Sequence, residues 1–150
     1  MTTARARQQA NRRPCILVVD DDPDWLEFTT NALAPSYEVV TASNGRDGVR
    51  IAREMPLAAV ILDVLMSGGE DGFSVLCELR KDPLTQHLPV IFFSNVNEVT
   101  QLSFTADEIH SQLGLGPDAF LEKPSSAKAV RQTVETAVAK KLSERRASDR

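Results

Sequence analysis

Five times along this 150-residue chain a short apolar run gives way to a polar or amphipathic stretch long enough to be a helix, and that alternation restricts the fold more than any other feature. The runs are CILVV at 15–19, YEVVT at 37–41, AAVIL at 58–62, VIFF at 90–93 and AFL at 119–121. Runs this apolar read as strands covered on both faces, and covered strands that alternate with helices build a parallel sheet between two helical layers. The expected fold is α/β: a doubly wound, five-stranded parallel sheet. Helix punctuation agrees. Asp22 as cap and Pro23 at the first helical position open a helix whose face is Leu26, Thr29, Thr30 and Leu33, and Pro35 closes it. Asn44-Gly45 leads into a second helix ending near Met55-Pro56. A third runs from about Asp71 to Lys81, and a polar-helical stretch covers Asn97 to Leu113. The last starts at Ser125 or Ser126, with Val130, Thr133, Val134, Ala137 and Val138 at the spacing of a helix lying on a sheet.

Charge divides the chain unevenly. Residues 1–13 carry four arginines and no acid, and residues 139–150 carry five bases against two acids, so a net −4 conceals about −11 over residues 14–138. The expected organisation is a disordered basic lead at 1–13, one domain at 14–140 and a basic tail at 141–150. An acidic body of this kind is a poor nucleic-acid binder, and no DNA-binding domain is expected. No apolar run approaches the ~20 residues that span a bilayer, and the first residues lack the apolar segment of a secretory signal. Cys15 and Cys77 sit in apolar segments and read as buried free thiols, which suits the cytoplasm.

The polar residues with chemistry in them stand where strands end. Asp20 and Asp21 follow the first run, Asp63 the third, Ser94 and Asn95 the fourth, and Lys123 the fifth. An open α/β sheet binds ligands outside the carboxyl ends of its strands, so these residues should meet at one edge. Three clustered carboxylates repel one another, and a hard divalent cation, Mg²⁺ or Mn²⁺, relieves that cost with oxygen ligands alone. A carboxylate beside such a cation and an ammonium is suited to receive a phosphoryl group. Asp63 is then the expected acceptor, Lys123 the second cation and Ser94 a hydroxyl donor to a phosphoryl oxygen.

The segments VVDDDP, ILDVLM, PVIFFSN and FLEKP, in this order and on these elements, resemble the bacterial response-regulator receiver family, the CheY-like domains, over about residues 14–140. The resemblance implies a flavodoxin-like (β/α)5 fold with strand order 2-1-3-4-5. It also implies Asp21 as a direct metal ligand, Asp20 as a metal-site carboxylate acting through water, and the backbone carbonyl of Leu65 as a further ligand. Phe120 falls where the family has an aromatic switch residue, coupled to Ser94; on composition it reads as a core residue. The chain departs from the family pattern at Ser67, where proline is common, at Asn95, where a small residue is common, and in the longer segment between Ser94 and Lys123.

The expected function is that of a stand-alone receiver that is no enzyme in its own right. It takes a phosphoryl group from a histidine kinase or histidine phosphotransfer protein in a phosphorelay and signals by contact with a downstream protein. The alternatives are a pseudo-receiver adaptor, which the complete acid–hydroxyl–lysine set disfavours, and an Asp-nucleophile phosphohydrolase, which would want an acid where Leu65 stands. A flavodoxin-like cofactor binder is a third, and it lacks a phosphate-cradling loop after the first strand. The resemblance implies that the side chains two positions beyond Asp63 and Ser94 influence the water that attacks the acyl phosphate. Here these are Leu65 and Val96, which can neither hydrogen-bond nor deprotonate a water, so slow self-dephosphorylation is expected.

Overall fold

The computed structural model describes residues 13–66, 71–95 and 116–148. The basic lead up to Arg12, the Ser67–Glu70 loop, Val96 and the Asn97–Leu113 stretch lie outside the described residues. Five strands, β1 (Cys15–Val19), β2 (Glu38–Ala42), β3 (Ala59–Leu62), β4 (Val90–Asn95) and β5 (Ala119–Lys123), pair in parallel in the order β2-β1-β3-β4-β5. Four helices are described: α1 (Pro23–Leu33), α2 (Gly45–Glu54), α3 (Gly72–Lys81) and α4 (Ala127–Ser148).

Both sheet faces are covered because successive strand residues point to opposite sides. Leu17, Val19, Val60, Leu62, Val90 and Phe92 form one core with α2 and α3. Ile16, Val18, Ala59, Ile61, Ile91 and Phe93 form the other, against Ala32 and Leu33 of α1 and Val130, Val134 and Ala137 of α4. The helix starts are fixed by side-chain caps. Asp22 accepts from the Asp24 N–H at 2.9 Å, Asn44 from Asp47 at 2.8 Å, Asp71 from Ser74 at 2.7 Å and Ser126 from Ala129 at 3.1 Å. Two glycines allow close packing: a Cβ at Gly48 would lie 2.8 Å from Val19 Cγ2, and one at Gly72 would lie 2.6 Å from the carbonyl oxygen of Asp63.

The strands at the far side outrun their apolar cores. β4 and β5 stay paired through Ser94↔Glu122 and Asn95↔Lys123, because ladder hydrogen bonds need no apolar side chain. α4 continues through residue 140 to Ser148, so residues 141–148 of the expected basic tail are helical. Cys15 and Cys77 are free and half-buried rather than fully buried.

Asp118 ties the opposite end of the sheet together. Its carboxylate accepts from the Val90 N–H at 2.8 Å and from Arg80 at 2.7 Å, and Lys141 of α4 stands 3.4 Å away. Arg80 also donates to the carbonyls of Leu88 and Gln86. Burial pushes the Asp118 carboxyl up, but the Val90 N–H and the two cations outweigh it and hold the group below its ordinary value of 3.8. A carboxyl lowered by folding binds fewer protons in the native state, so its contribution is complete above that value and fades as pH falls below it. Asp118→Asn is expected to cost about 1–3 kcal/mol at pH 7, since Arg80 keeps its buried charge without its partner. Urea unfolding of both proteins should show the difference shrinking below pH 4.

Candidate functional site

The carboxyl ends of β1, β3, β4 and β5 lie along one edge of the sheet, and strand order reverses between β1 and β3, where such sheets form their crevice. A cavity of about 320 Å³ opens there, lined by Asp20 to Asp22, Trp25, Asp63, Leu65, Asn95, Lys123 and Pro124. Each strand delivers one part of it. Asp20 leaves β1 with its N–H bonded to the Ala42 carbonyl at 3.1 Å, and Asp63 leaves β3 with its N–H on the Val19 carbonyl at 3.0 Å. The first acid and the third-strand acid are therefore placed by the backbone of their neighbours.

Asp63 is 5% exposed and its two carboxylate oxygens face different donors. Ser94, fully buried on β4, donates its hydroxyl to Oδ1 at 2.5 Å and accepts the Val64 N–H at 2.9 Å. Lys123 Nζ stands 3.6 Å from Oδ2 and donates to Asp20 Oδ2 at 2.7 Å. The other oxygen of Asp20 accepts the Asp22 N–H at 3.0 Å. Burial raises the Asp20 carboxyl above its ordinary value of 3.8 and the Asp63 charge adds to this, although Lys123 and the Asp22 N–H pull the other way. Asp20, Asp21 and Asp63 each offer a carboxylate oxygen, and the three atoms lie within 4.8 Å of one another. An all-oxygen set of this span, with excess negative charge and one open side, fits a hard divalent cation that keeps waters.

Five of the residues singled out from sequence, Asp20, Asp21, Asp63, Ser94 and Lys123, thus come together, and Leu65 and Asn95 line the same cavity. Phe120 does not join them. It is 41% exposed, with its ring edge-on to Phe92 at 6.2 Å, which corrects the reading of it as a core residue. β5 is the last strand of the sheet, and Phe120 points away from the face that α4 covers, so it has a partner on one side only among the described residues. Trp25 was missed by the sequence reading. Its ring centroid is 4.9 Å from Lys123 Nζ, and it lines the cavity. The signal was there: the chain's single tryptophan sits three residues after Asp22, in the first turn of a helix that starts at the acidic cluster.

Fold, crevice and charge set define a class of doubly wound α/β domain with an acidic site at its strand ends, and comparison with known proteins gives the family. The response regulator receiver domain profile matches residues 16–135, and the chain belongs to that family, the receiver domains of two-component signalling. Protein PilH of Pseudomonas aeruginosa is 30% identical over 125 residues, covering 83% of this chain and 97% of PilH. The probable cyclic di-GMP phosphodiesterase of Vibrio cholerae is 34% identical over 130 residues, 85% of this chain but 27% of that protein. The crystal structure of a response regulator receiver domain protein from Clostridium thermocellum superposes with a TM-score of 0.71 at 27% identity, covering 86% of this chain and 97% of that one. The chain spans between 22% and 44% of the length of the first curated relatives it matches. Among the described residues no helix is long and apolar enough to cross a membrane.

The burial of Asp20, with the Asp63 charge as a smaller contribution in the same direction, has a measurable consequence. A carboxyl raised by folding binds more protons in the native state, so stability falls as pH rises from 3.8 through the raised value. Asp63→Asn, measured in chelator, is expected to raise the urea midpoint at pH 7, with the gain shrinking toward pH 4.

Proposed function

We propose that the domain accepts a phosphoryl group on Asp63 from a phosphohistidine of a histidine kinase or phosphotransfer protein, in the cytoplasm, and signals through contact with a downstream protein. The observation that carries this reading is the division of labour around one buried carboxylate: a hydroxyl on one oxygen and an ammonium near the other. An Asp63 oxygen forms the new bond to phosphorus as the phosphorus–nitrogen bond of the donor breaks, and the imidazole keeps that electron pair. Lys123 and the Ser94 hydroxyl are within reach of the oxygens of the arriving group and take up its charge, so the site is organised before the donor docks. Asp20, Asp21 and Asp63, joined by the Leu65 carbonyl that the family resemblance implies, would hold Mg²⁺ or Mn²⁺. The cation would neutralise charge on the transferring group when bound.

The lifetime of the acyl phosphate follows from what lines the cavity. Leu65 stands at its wall and is 36% exposed, an apolar side chain where a water would have to be aligned for attack on phosphorus. Asn95 lines the same opening. The domain is expected to hold its phosphoryl group for long periods. The presence of Asp63, Ser94 and Lys123 beside the acid pair supports this reading over the pseudo-receiver alternative.

The test is incubation of purified protein with Mg²⁺ and a small phosphodonor or a phosphorylated kinase, read on an acid-labile phosphate gel. Labelling should be lost in Asp63→Asn and should require the cation. Undiminished labelling of that variant would contradict the assignment. Followed over time at neutral pH, the label on Leu65→Asn should decay severalfold faster than on the parent; equal decay would show that Leu65 does not control water access.

A further inference from the structure

The lysine at the centre of the site is held on one side by carboxylates and on the other by aromatic rings. Lys123 Nζ lies 4.9 Å from the centroid of Trp25 and 5.6 Å from that of Phe93, and its side chain is 8% exposed. The rings are themselves fixed. Trp25 meets Phe93 edge to face at 5.4 Å and 78°, and meets Phe28 at 5.6 Å and 86°. The Asp22 cap and Pro23 set the first turn of α1, and so the place from which the indole projects. We propose that Trp25 is the positioning residue for Lys123, holding the ammonium on the Asp63 side of the site when Asp20 releases it. The proposal rests on the phosphoacceptor reading of Asp63.

At present Lys123 is divided unequally, 2.7 Å from Asp20 and 3.6 Å from Asp63. Asp20 is also one of the three carboxylates that fit a cation, and an oxygen drawn to a cation is a weaker acceptor for an ammonium. Lys123 then needs another attractive surface, or its flexible stem is free to swing out to water. A carboxylate at position 25 would keep it, at the cost of a fourth negative charge in front of an incoming phosphoryl group. An aliphatic side chain would add no charge and no attraction. The face of an indole attracts the ammonium through its quadrupole and leaves the full positive charge available to the phosphoryl oxygens. Phe93, on β4 beside Ser94, completes the seat from the sheet side, so the ammonium rests on rings carried by two different elements.

Trp25 is the only tryptophan in the chain, so its emission reads the site without interference. On the full chain, Mg²⁺ titration is expected to change Trp25 emission as Lys123 shifts between Asp20 and Asp63. The change should be absent in Lys123→Met. Identical responses of the parent and Lys123→Met would overturn the proposal, and this arm stands whether or not Asp63 accepts phosphate. In phosphorylation by a small phosphodonor, Trp25→Leu should lower the maximal rate about tenfold, the effect of losing one well-shielded cation–π contact, with the half-saturating donor concentration unchanged. Trp25→Phe, which keeps a ring face, should restore most of the rate. A Trp25→Leu rate equal to the parent, or a Trp25→Phe rate as low as Trp25→Leu, would overturn the positioning role. If the parent itself takes no phosphoryl group, it is the phosphoacceptor reading that fails, and the emission arm alone decides the role of Trp25.

Discussion

One ammonium group balances the end of this sheet. Asp20 and Asp63 are both buried at the carboxyl ends of adjacent strands, where two unscreened carboxylates would repel strongly, and Lys123 reaches both from β5. The lysine travels the width of the sheet to do so, since β5 is separated from β1 by β3 and β4. The balance is incomplete by design of the residues themselves. Asp21 adds a third carboxylate within 4.8 Å, and the site keeps an excess of negative charge that a small cation can satisfy. Ser94 supplies a further contact, a hydroxyl that bridges the Val64 N–H to Asp63 and so couples the acid to the backbone that follows it.

The rest of the fold serves that placement. Strand register brings Ser94 and Asn95 level with Glu122 and Lys123, and the two apolar cores clamp the sheet between helices so that the strand ends cannot drift. The start of α3 is fastened to the residues that follow β3. Gly72 donates to the Val64 carbonyl at 2.6 Å, and its lack of a side chain lets the start of α3 rest on the Asp63 carbonyl. At the other end of the strands, Asp118 joins α3, β4 and α4 through Arg80 and Lys141.

Much of this was legible in the sequence because it depends on local pattern. Apolar runs at 15–19, 58–62 and 90–93 give the inner strands, Asp22-Pro23 gives a helix start, and Val130, Val134 and Ala137 give the buried stripe of the last helix. The site was legible for a related reason: a polar residue directly after a buried strand can only stand at the sheet's edge. What the sequence hid depends on long-range packing. Phe120 and Phe92 are both aromatic strand residues, yet one is buried and the other open, and only strand order tells them apart. The contact of Trp25 with Lys123 joins residues about a hundred positions apart, beyond the reach of any local pattern. For the last helix a start and a face were legible but no end, because lysines and arginines are good helix formers and a basic composition says nothing about where the turns stop; the helix runs to Ser148.

The direct test is a crystal structure of the chain with Mg²⁺ and beryllofluoride, which mimics an acyl phosphate. Beryllium should be bonded to an Asp63 oxygen, with Lys123 Nζ and Ser94 Oγ on its fluorines and Mg²⁺ held by Asp21 and Asp63. An adduct on another residue, or a site in which Lys123 remains paired to Asp20 and no adduct forms on Asp63, would contradict the assignment of Asp63 as the residue that carries the signal.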